Sequence, residues 1–152
     1  MLENNKQSFM SEFVQRSRFM SAFPGSMSPT VFVDTLYTNA GVSPSSAPNR
    51  AAAINAFGSG TTPNDVVARA HALRLVAEDP LLAQQEFNKA FVLMQYFGYL
   101  RRNPNDAPEP TLDYQGYNFW LNKLNSFGGN YVNAEMVKAF ITSDEYRHRF
   151  GP

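Results

Sequence analysis

Acid–base and nucleophilic chemistry need titratable side chains that converge on one point, and this sequence offers few. It holds two histidines, His71 and His148, and no cysteine. Neither histidine belongs to a His-Glu-x-x-His pair of metal ligands, and neither stands beside a serine elbow. Each reads as a surface or partly buried helix residue. The carboxylate pair Glu78-Asp79 reads as the end of one helix and the cap of the next. Asp144-Glu145 reads as part of a solvated face. The absence of cysteine excludes thiol catalysis, zinc–thiolate sites and disulfides. Gly58-Ser59-Gly60 and Gly128-Gly129 are not phosphate loops, because no Gly-Lys-Ser/Thr follows them. No catalytic residue, metal ligand or cofactor is assigned, and an enzyme is not expected.

The segment Arg101–Asp113 places several oxygen donors between two helices, as a calcium loop would. It lacks the alternating acidic spacing, the central glycine and the closing glutamate of such a loop. It reads instead as a proline-rich connection whose Asp113 caps the next helix. A metal-dependent module built on residues 103–113 is the weakest of the alternatives.

Aromatic residues are the better candidates for surface chemistry. They make up 14% of the chain. Adjacent Phe119 and Trp120 cannot both face one core from the same helix. The candidate interaction surface is Tyr99, Arg101, Arg102, Tyr114, Phe119 and Tyr131. The candidate core is Phe91, Tyr96, Trp120, Leu124, Val137 and Phe140. Exposed aromatics anchor protein interfaces and also line sugar sites, so a carbohydrate-binding module is the main alternative.

The elements that position these residues follow from composition and spacing. Hydrophobic residues form 43% of 152 residues, enough for a sizeable core. Thirteen basic residues balance thirteen acidic ones, so no positive field marks a nucleic-acid binder. No apolar run approaches the ~20 residues that span a bilayer, so membrane insertion is not expected. Residues 1–7 lack the cationic start and apolar stretch of a signal peptide.

The sequence also repeats. Phe13, Phe19 and Phe23 precede Phe140, Tyr146 and Phe150 by 127 residues, with Val76, Leu82 and Phe87 about halfway. Phe32-Val33 with Tyr37 matches Phe91-Val92 with Tyr96, and Ser43-Pro44 matches Asn103-Pro104. Arg50, Ala53, Ile54 and Phe57 match Tyr117, Trp120, Leu121 and Leu124. The expected organisation is a single domain over 1–152. It comprises a leading helix at 5–24, a degenerate unit at 28–87 and a well-formed unit at 88–150.

Helix starts are marked by Ser28-Pro29, Thr62-Pro63, Asp79-Pro80, Asp113 and Asn133. Stops are marked by Pro24-Gly25, Gly41, Gly58 and Gly128-Gly129. The apolar period between them is helical, and no segment alternates like a strand. The fold class is therefore all-α. It is expected as a compact domain of about seven helices in a tandem helical repeat, at 5–22, 29–40, 48–57, 63–78, 80–101, 114–126 and 133–148.

Phe91-Val92 with Tyr96, Leu100-Arg101-Arg102-Asn103-Pro104, Gly116 with Trp120, and Val137 with Phe140 before Ser143-x-Glu145-Tyr146 together form a longer pattern. That pattern resembles the bacterial family described as domain of unknown function 4214, and more distantly the phycobilisome linker domains. Leu100-Arg101 and Arg102 stand where that family has Gly-Arg, and Asn105 where it commonly has aspartate. The resemblance implies a non-catalytic helical interaction or assembly module. It further implies a fragment of a larger bacterial surface or secreted protein, with other protein domains or a second copy as partners.

Overall fold

The computed structural model describes residues 1–151. The chain is all-helical, with nine α-helices, one 3₁₀ turn and one π-helical turn among the described residues. Two compact units divide it, Met1–Ala83 and the part from Gln84 onward.

Unit 1 contains α1 (Leu2–Phe13), α2 (Ser17–Ala22), α3 (Pro29–Asn39), a 3₁₀ turn (Pro44–Ser46), α4 (Arg50–Asn55), α5 (Val66–Ala77) and the first turn of α6 (Pro80–Gln95). Its core is a run of rings. Phe19 stacks on Phe23 at 4.6 Å, and Phe32 meets Phe23 and Phe57 edge-on at 5.3 and 5.6 Å. Arg69 lies over Phe19 and Phe32 and is held by the carbonyls of Pro63 and Phe23 at 3.0 and 2.8 Å. Burial lowers its pKa. Asp79 is fully buried. Its carboxylate accepts from the Tyr37 hydroxyl and from the backbone of Asn49 and Leu81, each at 2.9 Å. It thus caps α6 and closes unit 1 on one charge satisfied by three donors.

Unit 2 comprises the remainder of α6, the π-helical turn Tyr96–Leu100, α7 (Gln115–Ser126), α8 (Met136–Thr142) and α9 (Asp144–Phe150). Val92, Tyr96, Leu100, Leu124, Met136 and Phe140 are buried together. Phe91 and Trp120 are partly buried against them, whereas Val137 is half-buried and outside that cluster. The π-helical turn ends in Arg101 with φ 50°, the left-handed region that favours glycine.

Both end helices are broken where one helix was expected. In a straight helix Phe13 and Phe19 would point about 120° apart at ~100° per residue. The break at Arg16 brings their rings to 5.4 Å. At the other end Ser143 turns extended, donates its hydroxyl to the Phe140 carbonyl and accepts from Tyr146 N, so that α9 starts afresh. Two expected caps also move. Asp65, not Thr62, caps α5 by accepting from Val67 and Ala68. The expected cap Asn133 donates its own backbone N–H to the Asn130 side chain, and α8 begins only at Met136.

Candidate functional site

The expected surface residues do not gather into one cluster. Tyr99 is half-buried, edge-on to Tyr146 at 6.1 Å. Arg101 is exposed over the Phe150 ring. Tyr114 is exposed beside Tyr117, whose hydroxyl donates to the Lys89 carbonyl at 3.1 Å. Phe119 is exposed and meets Trp120 edge-on at 5.2 Å. Tyr131 is exposed and stacks on Phe91 at 5.0 Å with planes 28° apart.

Tyr131 belongs to an exposed aromatic feature of unit 2. Phe87 stacks on Phe91 at 6.2 Å, again at 28°, so Phe91 lies between two exposed rings. Phe87 and Tyr131 are 59% and 45% exposed, and the adjoining Val132 is 65% exposed. Gln84, Phe87 and the turn Gly128–Val132 line an open depression of about 640 Å³ here. The glycine turn fits closely against α6. A Cβ on Gly129 would lie 2.6 Å from Gln84 Nε2 and 2.9 Å from Asn88 Oδ1, at a φ of +84°. Asn88 is itself buried, accepting from Gln84 and donating to Asn125, each at 2.8 Å. Gln84 and Asn88 thus pack directly against the turn that presents Tyr131. Phe87 and Val132 escaped the sequence reading. Phe87 matches buried Phe23 in the repeat spacing, and only exposure separates the two.

Arg102 is not a surface residue. Its side chain is 8% exposed. Nε and Nη2 donate to Glu145 at 2.7 and 3.1 Å, and Nη1 donates to the carbonyls of Asn103, Pro104 and Asp106, each at 3.1 Å. Glu145 accordingly leaves the solvated face expected of it, with Arg149 as a second, longer partner at 3.4 Å. Desolvation pulls the Arg102 pKa down, but Glu145, joined by Tyr96 and Glu109, offsets this and the net direction is up. Burial, reinforced by the Glu109 charge, pushes the Tyr96 hydroxyl up to about 12. Arg102, Gly116, Trp120, Ser143 and Glu145, scattered along the family-like pattern, all line one pocket with Tyr96.

In the loop 103–113 the two aspartates turn their oxygens to the chain's own donors. Asp106 accepts from the backbone and side chain of Asn103, and Asp113 from Gln115. Among the described residues no group of three or more His, Asp or Glu is placed to hold a metal ion. His71 and His148 are both exposed on their helices. No helix among the described residues is long and apolar enough to cross a membrane.

No protein-family model, curated protein or solved structure matches this chain.

Proposed function

We propose that the chain is a non-catalytic helical interaction module that engages another protein domain or a second copy through unit 2. The observation that carries this reading is the three-ring stack Phe87–Phe91–Tyr131, whose outer rings and neighbouring Val132 are solvent-facing. Grouped exposed apolar side chains beside a concavity mark contact surfaces, and aromatic anchors in such patches dominate binding energy. Rings held by stacking and by a tight turn also lose little conformational freedom on binding.

Repetition supports an assembly role. The helices that restart after the matched positions do so just beyond Arg16, Asp79 and Ser143, spaced 63 and 64 residues apart. On this reading the unit that starts each time is one module of an array, consistent with the proposed membership in the family resembled above. The parent would be a larger bacterial surface or secreted protein.

The test is energetic. A contact surface holds a partner and not the fold, so Phe87→Ser and Tyr131→Ser should each change urea-unfolding stability by no more than about 0.5 kcal/mol. Losses of several kcal/mol would make the stack part of the core and remove the reading.

One observation favours carbohydrate binding as a second reading. The depression sets aromatic rings beside the side-chain amides of Gln84 and Asn130, a pairing that suits a sugar's C–H face and hydroxyls. A glycan array with no hits for wild type would eliminate it.

A further inference from the structure

Beside Trp120 in unit 2 lies a pocket of about 240 Å³ lined by Tyr96, Arg102, Glu109, Gly116, Trp120 and Glu145. Its charged groups are unequally satisfied. Arg102 and Glu145 are engaged with each other, and Arg102 is further engaged with three carbonyls. Glu109 differs. Its side chain is 14% exposed, and its nearest cation, Arg102 Nη2, stands at 3.8 Å, beyond hydrogen-bond reach. Neither Glu109 nor the Tyr96 hydroxyl has a side-chain hydrogen bond among the described residues, although Tyr96 is 97% buried by its 3% exposure.

Both groups point at the same space. A Cβ on residue 116 would stand 2.9 Å from Tyr96 Oη and 3.1 and 3.4 Å from the two Glu109 carboxylate oxygens. Glycine at 116 therefore lets the Tyr96 hydroxyl and both Glu109 carboxylate oxygens draw together at the pocket wall beside an indole. A carboxylate withdrawn from water without a hydrogen-bond donor is costly. The complement that would relieve it carries one positive charge, several donors and no acceptor. A protonated primary amine has three donors in a compact head and no acceptor, and an aromatic wall adds attraction for a cation.

We propose that this pocket is a binding site for a protonated primary amine, held by Glu109 and the Tyr96 hydroxyl over Gly116. The amine is a small alkylamine or the lysine side chain of a partner.

The full chain is titrated with n-butylammonium chloride and followed by ¹⁵N–¹H NMR. Potassium chloride, n-butanol and sodium butyrate serve as matched probes, and Nα-acetyl-lysine amide as the peptide probe. The site predicts saturable shifts at Gly116 and Trp120 with butylammonium, and none with butanol, butyrate or potassium. Glu109→Gln and Tyr96→Phe should each weaken binding about tenfold or more, with folding checked by the unchanged remainder of the spectrum. Gly116→Ala, whose methyl would push the Tyr96 and Glu109 oxygens apart, should abolish it. Comparable binding of the acetyl-lysine amide would assign a partner's lysine, and clear preference for butylammonium a free amine. No saturable shift at tens of millimolar amine, the same shifts with potassium chloride, or undiminished binding by Glu109→Gln would overturn the proposal.

Discussion

Arg102 and Glu145, forty-three residues apart in sequence, hold each other through two hydrogen bonds of 2.7 and 3.1 Å. This pair ties the loop after the π-helical turn to α9, and both side chains are largely buried. Removing one partner of such a pair leaves the other charge unsatisfied, at a cost of about 3–5 kcal/mol when burial is complete. Arg102→Ala should therefore lower stability by about 3 kcal/mol in urea unfolding, and Glu145→Gln by somewhat less. A loss below about 0.5 kcal/mol for both, the level of an ordinary surface substitution, would show the pair to be incidental.

The turn beneath the ring stack depends on Gly129. Its φ of +84° penalises any side chain, and a Cβ would press on Gln84 and Asn88. Gly129→Ala should cost about 1–2 kcal/mol from backbone conformation alone, with more from displaced amides. Thermal melts of the variant check this. An unchanged melting temperature would mean that the turn relaxes freely and that the amides do not fix Tyr131.

Arg101 presents the opposite case. It adopts φ 50° without being glycine. Its visible compensation is the placement of its guanidinium 5.7 Å from the centre of the Phe150 ring, a contact worth about 0.5–1 kcal/mol at an exposed site. Relief of left-handed strain is worth about 1–2 kcal/mol. Arg101→Gly should therefore be neutral to stabilising by about 1 kcal/mol, measured by urea unfolding. A loss of more than about 1 kcal/mol would show that the ring contact outweighs the strain.

Stability should also fall in alkali. Tyr96 has its pKa raised to about 12 by burial and then by Glu109, against an unfolded value near ~10. A raised acid favours the folded, protonated form. Its contribution is complete below pH ~10 and is lost as pH climbs towards 12, because the unfolded chain then binds fewer protons. Tyr37 shifts in the same direction, from burial and its bond to Asp79. Tyr96→Phe should flatten the decline between pH 10 and 12 in unfolding curves without abolishing it. An equally steep decline in Tyr96→Phe would contradict this.

The all-helical class, the caps Ser28 and Asp79 and the buried Tyr96, Leu124 and Phe140 were legible in the sequence, because periodicity and capping chemistry are local. The breaks at Arg16 and Ser143 were not. They arise when ring pairs six residues apart must reach the same core, a tertiary demand that overrides a continuous helical pattern. Glu145 looked solvated because its partner lies forty-three residues away and on another element. Arg102 was misread for the same reason. Gly116 was visible only as a spacing to Trp120. Its role, sparing room for Glu109 and Tyr96, appears only once the loop folds over α7. Phe87 fits the same repeat spacing as buried Phe23, and nothing local marks it as exposed.

The Phe87–Phe91–Tyr131 stack is proposed as a contact surface. Its most direct test places the photo-crosslinker benzoylphenylalanine at position 87, and separately at the comparably exposed Val67 of unit 1, in cells that produce the protein. Irradiation should give a discrete covalent adduct from position 87 that is lost on adding Tyr131→Ser, and none from position 67. No adduct at 87, or the same adducts from both positions, would contradict the account.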